Sequence, residues 1–312
     1  MVATRRLLLS RASLCRAYSS HATGERVRLA FDHHAPRNPD HHQQHSPIIF
    51  MHGLFGSKKN NRSVSKALAR HLDRHIFAID LRNHGESPHI CRHDYIAMAD
   101  DVAGFIHDHR LKEPTLIGHS MGAKTAMTLA LEQPSLISNI ISVDNAPIDA
   151  TLSRSFANYI RGMKHIEEAG ATRQSEADKI LAEYEPDIAI RQFLLGNLYR
   201  VSEAHKTDGA ASTDHKHHTN TVKFRIPLDI LAKNLDNMGD FPFRNPDERR
   251  FEKPALFIRG THSKYVPDEA IPIIGRFFPR FELADIEAGH WLISEKPAEF
   301  VKCVTEFLAP KE

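Results

Sequence analysis

Three short segments carry residue types that could do chemistry together. The stretch PTLI at 114–117 runs into Gly118-His119-Ser120-Met121-Gly122 and then into AKTAMTLALEQ. A serine flanked by glycines at a strand-to-helix passage has room for a tight turn that lifts its hydroxyl above a sheet edge, so Ser120 is the candidate nucleophile. The helix that starts after it would bring its N-terminal dipole and the Met121 N–H to a tetrahedral oxyanion. A second donor is expected from His52-Gly53-Leu54-Phe55-Gly56-Ser57, which follows the apolar run IIFM. There the glycines let the loop bend so that the Leu54 N–H can face the serine. The base is expected late in the chain, at Gly289-His290-Trp291, after FELADIE and before the last helical stretch. From that place the His290 imidazole can reach a serine across the carboxyl edge of a sheet. His52 reads as a brace of its own loop, and DLRNHGES at 80–87 as a turn scaffold without a chemical role.

These residues need a frame. Apolar runs IIFM at 48–51, HIFAIDL at 75–81, PTLIGH at 114–119 and ISNIISVD at 137–144 alternate with helix-length segments. That rhythm predicts βα repeats and a mostly parallel sheet. Between them, Tyr95, Met98, Val102, Phe105 and Ile106 share one face of a helix over 95–109. A further strand is expected at Arg26–Phe31, followed by the polar hairpin loop HHAPRNPDHHQQHSP. From Asn145 to Lys253 the rhythm breaks, with helical patches at 155–168, 175–185 and 187–199 and then the polar run HKTDGAASTDHKHHTNT. A connection that long is seldom structureless; an inserted cap at about 150–250 with one mobile loop is expected. The rhythm then resumes with PALFIRG at 254–260, a helix from about Asp268, FELADIE at 281–287 and a helix over Pro297–Leu308. One interrupted domain over 25–312 accounts for this order. Within the cap, Phe156, Tyr159, Phe193, Leu194, Leu195, Leu198 and Tyr199 are spaced for an apolar inner face, which favours a short to medium acyl group over a charged substrate.

Together GHSMG, HGLFGS, DLRNHGES and AGHW resemble the α/β-hydrolase superfamily over about residues 26–310. The resemblance implies an α/β fold with a mostly parallel sheet, helices on both faces and an inserted helical cap. HGLFGSKKN, VDNAP and KFRIPL are similar to a subgroup that includes YbfF-type esterases, mitochondrial abhydrolase-domain proteins and fungal ethanol acetyltransferases. Most of the superfamily places its catalytic acid after the first post-cap strand, in a GxxD turn. Here Gly260-Thr261-His262-Ser263 has serine in that slot, and Asp268 comes late, at a helix start where a first-turn carboxylate explains it. Asp144 ends IISVD at the same sheet edge as Ser120, and VDNAP matches the subgroup's pattern, so the resemblance implies Asp144 as the residue orienting His290. The implied activity is acyl transfer through an acyl-serine. It would be hydrolysis of short to medium acyl esters or thioesters or, alternatively, alcohol O-acylation making acetate esters from acyl-CoA and ethanol. A noncatalytic binding protein is the reading outside enzymes. Dehalogenase and epoxide-hydrolase chemistry on this fold need an aspartate where Ser120 stands.

Composition sets the outer limits. The 312 residues are 41% hydrophobic and 26% charged, which excludes a disordered chain. Net charge is +2, but the first twenty residues hold Arg5, Arg6, Arg11 and Arg16 and no acid, so the remainder carries −2. That start predicts a mitochondrial transit peptide over 1–20 and a matrix location, and leaves no basic face for nucleic acid. No run approaches the length of a transmembrane helix. Cys91 and Cys303 lie far apart with no CxxC pattern, so no disulfide is expected. The 22 histidines first suggest metal, yet they crowd two polar stretches, His33, His34, His41, His42 and His45, and His205, His215, His217 and His218. Neither has a ligand spacing, and neither a metal nor a cofactor is expected. The partner implied is a small acyl ester or thioester substrate.

Overall fold

The computed structural model describes residues 25–36, 45–150, 154–203 and 219–309. The expected transit peptide, most of the first histidine-rich stretch and all four histidines of the second lie outside the described residues. Among the described residues the main sheet has seven strands: β1 Phe31–His34, β2 Ile48–Met51, β3 Ile76–Ile79, β4 Thr115–His119, β5 Asn139–Val143, β8 Ala255–Gly260 and β9 Phe281–Ile286. Their order is β1-β3-β2-β4-β5-β8-β9, with β1 antiparallel to β3 and every other pair parallel.

Both faces of this sheet are covered, which is why its strands read as continuous apolar runs. Along β2, Ile48 and Phe50 enter one core cluster while Ile49 and Met51 enter the other. The first cluster lies under α1 (Arg62–Leu72) and α10 (Pro297–Leu308), through Val64, Leu68, Phe300 and Val304. The second lies under α2 (Tyr95–Asp108) and α3 (Met121–Glu132), through Met98, Val102, Ala126 and Met127. Each fully buried valine, leucine, methionine or phenylalanine among these stabilises the fold by about 1.5–3 kcal/mol relative to exposure.

Strand β1 begins where the expected strand at 26–31 ends. Its residues are held by cross-strand pairing of Phe31 with Ile79 and by the His33 ring, stacked 4.7 Å from Phe77. His33 and His34 therefore belong to an edge strand and not to the polar loop that the sequence suggests.

Between β5 and β8 the chain leaves the sheet. It forms α4 Arg154–Glu168, α5 Gln174–Leu181, α6 Ile188–Leu195 and α7 Leu228–Lys233, with α8 Ile271–Phe277 and α9 Leu292–Glu295 following later. The helix expected to run to Tyr199 stops at Leu195, and the chain turns into β6 Leu198–Glu203, paired antiparallel with β7 Thr219–Phe224. This hairpin docks through the Val222 N–H, which donates to the Ala171 carbonyl at 2.7 Å. Phe156, Tyr159, Leu194 and Leu195 join the same core cluster as α2 and α3. Cys303 is a free thiol. Among the described residues no helix is long and apolar enough to cross a membrane.

Candidate active site

The sheet brings the sequence-marked residues together at the carboxyl ends of its parallel strands. His119 and Val143 are register partners at the ends of β4 and β5, so Ser120 and Asp144 leave the sheet side by side. Both turn abruptly: Ser120 has φ 54° and Asp144 φ 51°, a region that costs a non-glycine residue about 1–3 kcal/mol. Surrounding bonds hold them there. The Ser120 N–H donates to the Val143 carbonyl (2.9 Å), and the Asp144 N–H to that of Ile258 (2.8 Å). The glycines of the turn are steric necessities. A Cβ at Gly118 would lie 2.1 Å from the Gly122 carbonyl oxygen, and one at Gly122 would lie 2.7 Å from that of Met51.

From the serine a chain of hydrogen bonds leads inward. Ser120 Oγ lies 3.0 Å from His290 Nε2, and His290 Nδ1 lies 2.6 Å from Asp144 Oδ2. With Nδ1–H donating to the carboxylate, Nε2 is left to accept the serine proton. Asp144 is fully buried, and its charge is met by three donors: His290, the Gly260 N–H (3.0 Å) and the Ser263 hydroxyl (2.5 Å). The imidazole is held in plane by the Tyr265 ring, stacked 4.1 Å away. His119 Nε2–H donates to the His290 carbonyl (2.8 Å). Burial, reinforced by His290, pushes the His119 pKa down to about 4, so it stays a neutral donor. Asp268 is elsewhere: 81% exposed and ion-paired with Arg259 at 2.5 Å.

Leu54 and Met121 line the same small cavity as Ser120. Among the described residues neither backbone N–H donates to a protein acceptor, so both are available to a ligand. A Cβ at Gly53 would come within 3.3 Å of Ser120 Cβ, which shows how closely that loop approaches the serine. The loop is braced from three sides. His52 donates from Nδ1 to the Gly53 carbonyl (2.8 Å) and accepts the Leu81 N–H at Nε2 (3.0 Å). His84 accepts the Phe55 N–H (3.1 Å) while donating to the Arg82 carbonyl (3.0 Å). Each ring can accept only while neutral, and burial lowers both pKa values, that of His84 well below the usual range. Asp80 receives the Lys58 N–H (2.6 Å) and ammonium (2.7 Å). From the inserted segment, Asn197 Nδ2 donates to the Phe55 carbonyl (2.8 Å). The segment 80–87 thus serves as the scaffold that the sequence suggests.

The sequence reading missed four neighbours of the site. Ser263 had a signal, since it occupies the slot where an acid is usual. Tyr265, Asn197 and the buried Lys124 had none. The cavity beside Ser120 is walled by Leu54, Met121, Phe156, Met238 and Tyr265, with Tyr95, Lys124 and Asn145 as its polar lining. Among the described residues no cluster of three His, Cys, Asp or Glu side chains is placed to hold a metal ion.

Residues 46–297 match the alpha/beta hydrolase fold family. The chain belongs to the α/β-hydrolase family. An abhydrolase domain-containing protein of Schizosaccharomyces pombe is 40% identical to this hydrolase over 282 residues, 90% of this chain and 97% of the relative. A probable alcohol acetyltransferase of Saccharomyces cerevisiae is 41% identical over 287 residues, 89% of this chain and 81% of that protein. An sn-1-specific diacylglycerol lipase of Mus musculus is 36% identical, over 84% of this chain and 80% of its own. Among solved structures, a marine microorganism esterase superposes with a TM-score of 0.77 at 32% identity, covering 90% of this hydrolase and 100% of the esterase.

Proposed function

We propose that this hydrolase transfers short to medium acyl groups from esters or thioesters to water through an acyl-Ser120 intermediate. The observation that carries the reading is the unbroken Ser120–His290–Asp144 hydrogen-bond chain beside a cavity with two uncommitted N–H donors. Ser120 Oγ attacks the acyl carbonyl as His290 Nε2 takes its proton, and Asp144 holds and stabilises the resulting imidazolium. The tetrahedral oxyanion accepts hydrogen bonds from the Leu54 and Met121 N–H groups, each worth about 3–4 kcal/mol to the transition state in sites of this kind. His290 then returns the proton to the departing alkoxide or thiolate. Water, deprotonated by the same imidazole, releases the acid.

A second acceptor is supported by the alcohol acetyltransferase named among the relatives. An alcohol attacking the same acyl-serine would give an ester. One experiment weighs these acceptors: short acyl esters, acyl-CoA, and acyl-CoA with ethanol, each compared between the wild type and Ser120→Ala. Release of acid that is lost in the variant supports hydrolysis, ethyl ester formation supports alcoholysis, and turnover unchanged in the variant refutes the acyl-serine. We further propose delivery to the mitochondrial matrix by residues 1–20, a segment rich in arginine and free of acids. A fluorescent protein fused behind residues 1–24 that stays in the cytosol would refute it.

A further inference from the structure

Lys124 is a cation in an unusual place. It follows Ser120 by four residues on α3, so the two side chains share one helical face about one turn apart, and both line the cavity. Only 1% of Lys124 is exposed. Its ammonium donates to two backbone carbonyls where the inserted segment returns to the sheet, Gly239 (2.7 Å) and Asp240 (2.9 Å). An ammonium has three N–H donors, and among the described residues the third has no oxygen or nitrogen acceptor; the uncharged Tyr95 ring, 5.6 Å away, is its other neighbour. No described carboxylate pairs with it. Asp149 and Asp240 act on it only from beyond ion-pair distance, and Asp149 is engaged by Arg244 and by the Phe241 N–H. A buried cation without a counter-ion costs several kcal/mol. Fixing the returning segment does not require that cost, because the neutral Tyr95 hydroxyl already ties the adjacent Met238 carbonyl at 2.9 Å.

We propose that Lys124 is the binding site for a carboxylate carried at the far end of the acyl group, so that the preferred donors are esters or thioesters of short dicarboxylic acids. The inference rests on the acyl-transfer reading above and names the acyl class for it. An entering carboxylate supplies the missing counter-charge and accepts the third N–H, while the acyl carbonyl lies at Ser120. One helical turn, about 5.4 Å, is spanned by two or three methylenes, the length of a succinyl or glutaryl group. The carboxylate is a spectator: the bonds made and broken are those at the carbonyl. Burial lowers the Lys124 pKa to about 8, which leaves most molecules charged at neutral pH. The apolar side chains of the inserted segment favour an uncharged acyl group; the assignment of Lys124 departs from that expectation.

The test compares succinyl with 4-methylpentanoyl aryl thioesters, which match in shape and differ in charge. The wild type is expected to favour the succinyl thioester at least tenfold in kcat/KM, and Lys124→Met is expected to lower that ratio at least thirtyfold. A wild-type ratio at or below one overturns the proposal, as does a ratio unmoved by the substitution. Should Lys124→Met fail to fold, wild type alone decides: succinate or glutarate should slow fluorophosphonate labelling of Ser120 at concentrations where 4-methylpentanoate does not, and equal protection overturns the proposal. Labelled Ser120 with no preference for the charged group overturns this assignment alone. Absence of labelling in folded protein overturns the acyl-transfer reading, and this assignment with it.

Discussion

Ser263→Ala removes one hydroxyl and leaves the Ser120, His290 and Asp144 side chains intact. The structure sets its expected cost. Ser263 Oγ donates at 2.5 Å to Asp144 Oδ2, the same oxygen that receives His290 Nδ1–H at 2.6 Å. Asp144 is fully buried, so no bulk water replaces the lost donor. A hydrogen bond to a buried charge contributes about 1.5–3 kcal/mol. Its loss should appear where the carboxylate must hold a charged imidazolium, in the transition state, and much less in substrate binding. Converted at 1.4 kcal/mol per factor of ten, kcat should fall about 10- to 150-fold, with KM moving less than threefold. The assay is steady-state turnover of a short-chain aryl ester, with urea denaturation to show that the fold persists. A variant that folds and turns over within twofold of wild type would refute the claim that Ser263 positions the acid. A large rise in KM at unchanged kcat would refute it too, by placing Ser263 in substrate binding.

Three other perturbations probe other parts of the account. Gly118→Ala places a methyl 2.1 Å from the Gly122 carbonyl oxygen, so the turn must shift; stability should drop by more than about 3 kcal/mol, read as the urea midpoint, with loss of Ser120 labelling. Asn197→Ala frees the Phe55 carbonyl from its 2.8 Å tie to the inserted segment; kcat should fall about fivefold, for about 1 kcal/mol of lost positioning, measured with the same ester. Acid should destabilise the fold early, because burial depresses the pKa values of His52, His84, His93 and His119, that of His93 to about 3. Their neutral forms cost nothing above pH 6.5. Below it the unfolded chain binds protons that the folded chain refuses, so stability is lost as pH falls from about 6.5 toward 3. At pH 5.5, His93 and His119, whose pKa values fall to about 3 and about 4, should each contribute about 1.4 kcal/mol of loss. Urea midpoints at pH 7.5 and 5.5 measure it, and His93→Phe, which removes a ring with no described hydrogen-bond partner, should flatten the dependence.

How much of this was legible beforehand depended on whether the information was local. The strands β2, β4, β5 and β8 are short apolar runs between polar turns, and Ser120 sits in a turn whose Gly118 is required by a contact with Gly122, only four residues away. Asp144 was reachable by resemblance, and its placement beside Ser120 follows from the register of β4 with β5. Long-range features were hidden. The β6–β7 hairpin joins LYRVSE to TNTVKF across the polar run at 204–218, so neither half announces the other. Nothing in the sequence marks Lys124: α3 is buried on every side and the lysine with it, which only the packing reveals. Ser263 looked like the absence of an acid; only the neighbouring strand shows it donating to one.

The central claim is that Ser120 becomes acylated by virtue of His290 and Asp144. The most direct measurement is mass spectrometry of the protein quenched during turnover of a short aryl ester, comparing wild type with Ser120→Ala, Asp144→Asn and Asp268→Asn. The account predicts an acyl adduct on the Ser120 peptide of wild type and Asp268→Asn, none in Ser120→Ala, and formation slowed by orders of magnitude in Asp144→Asn. Near-normal acylation in Asp144→Asn beside a dead Asp268→Asn, or an adduct that survives in Ser120→Ala, would contradict it.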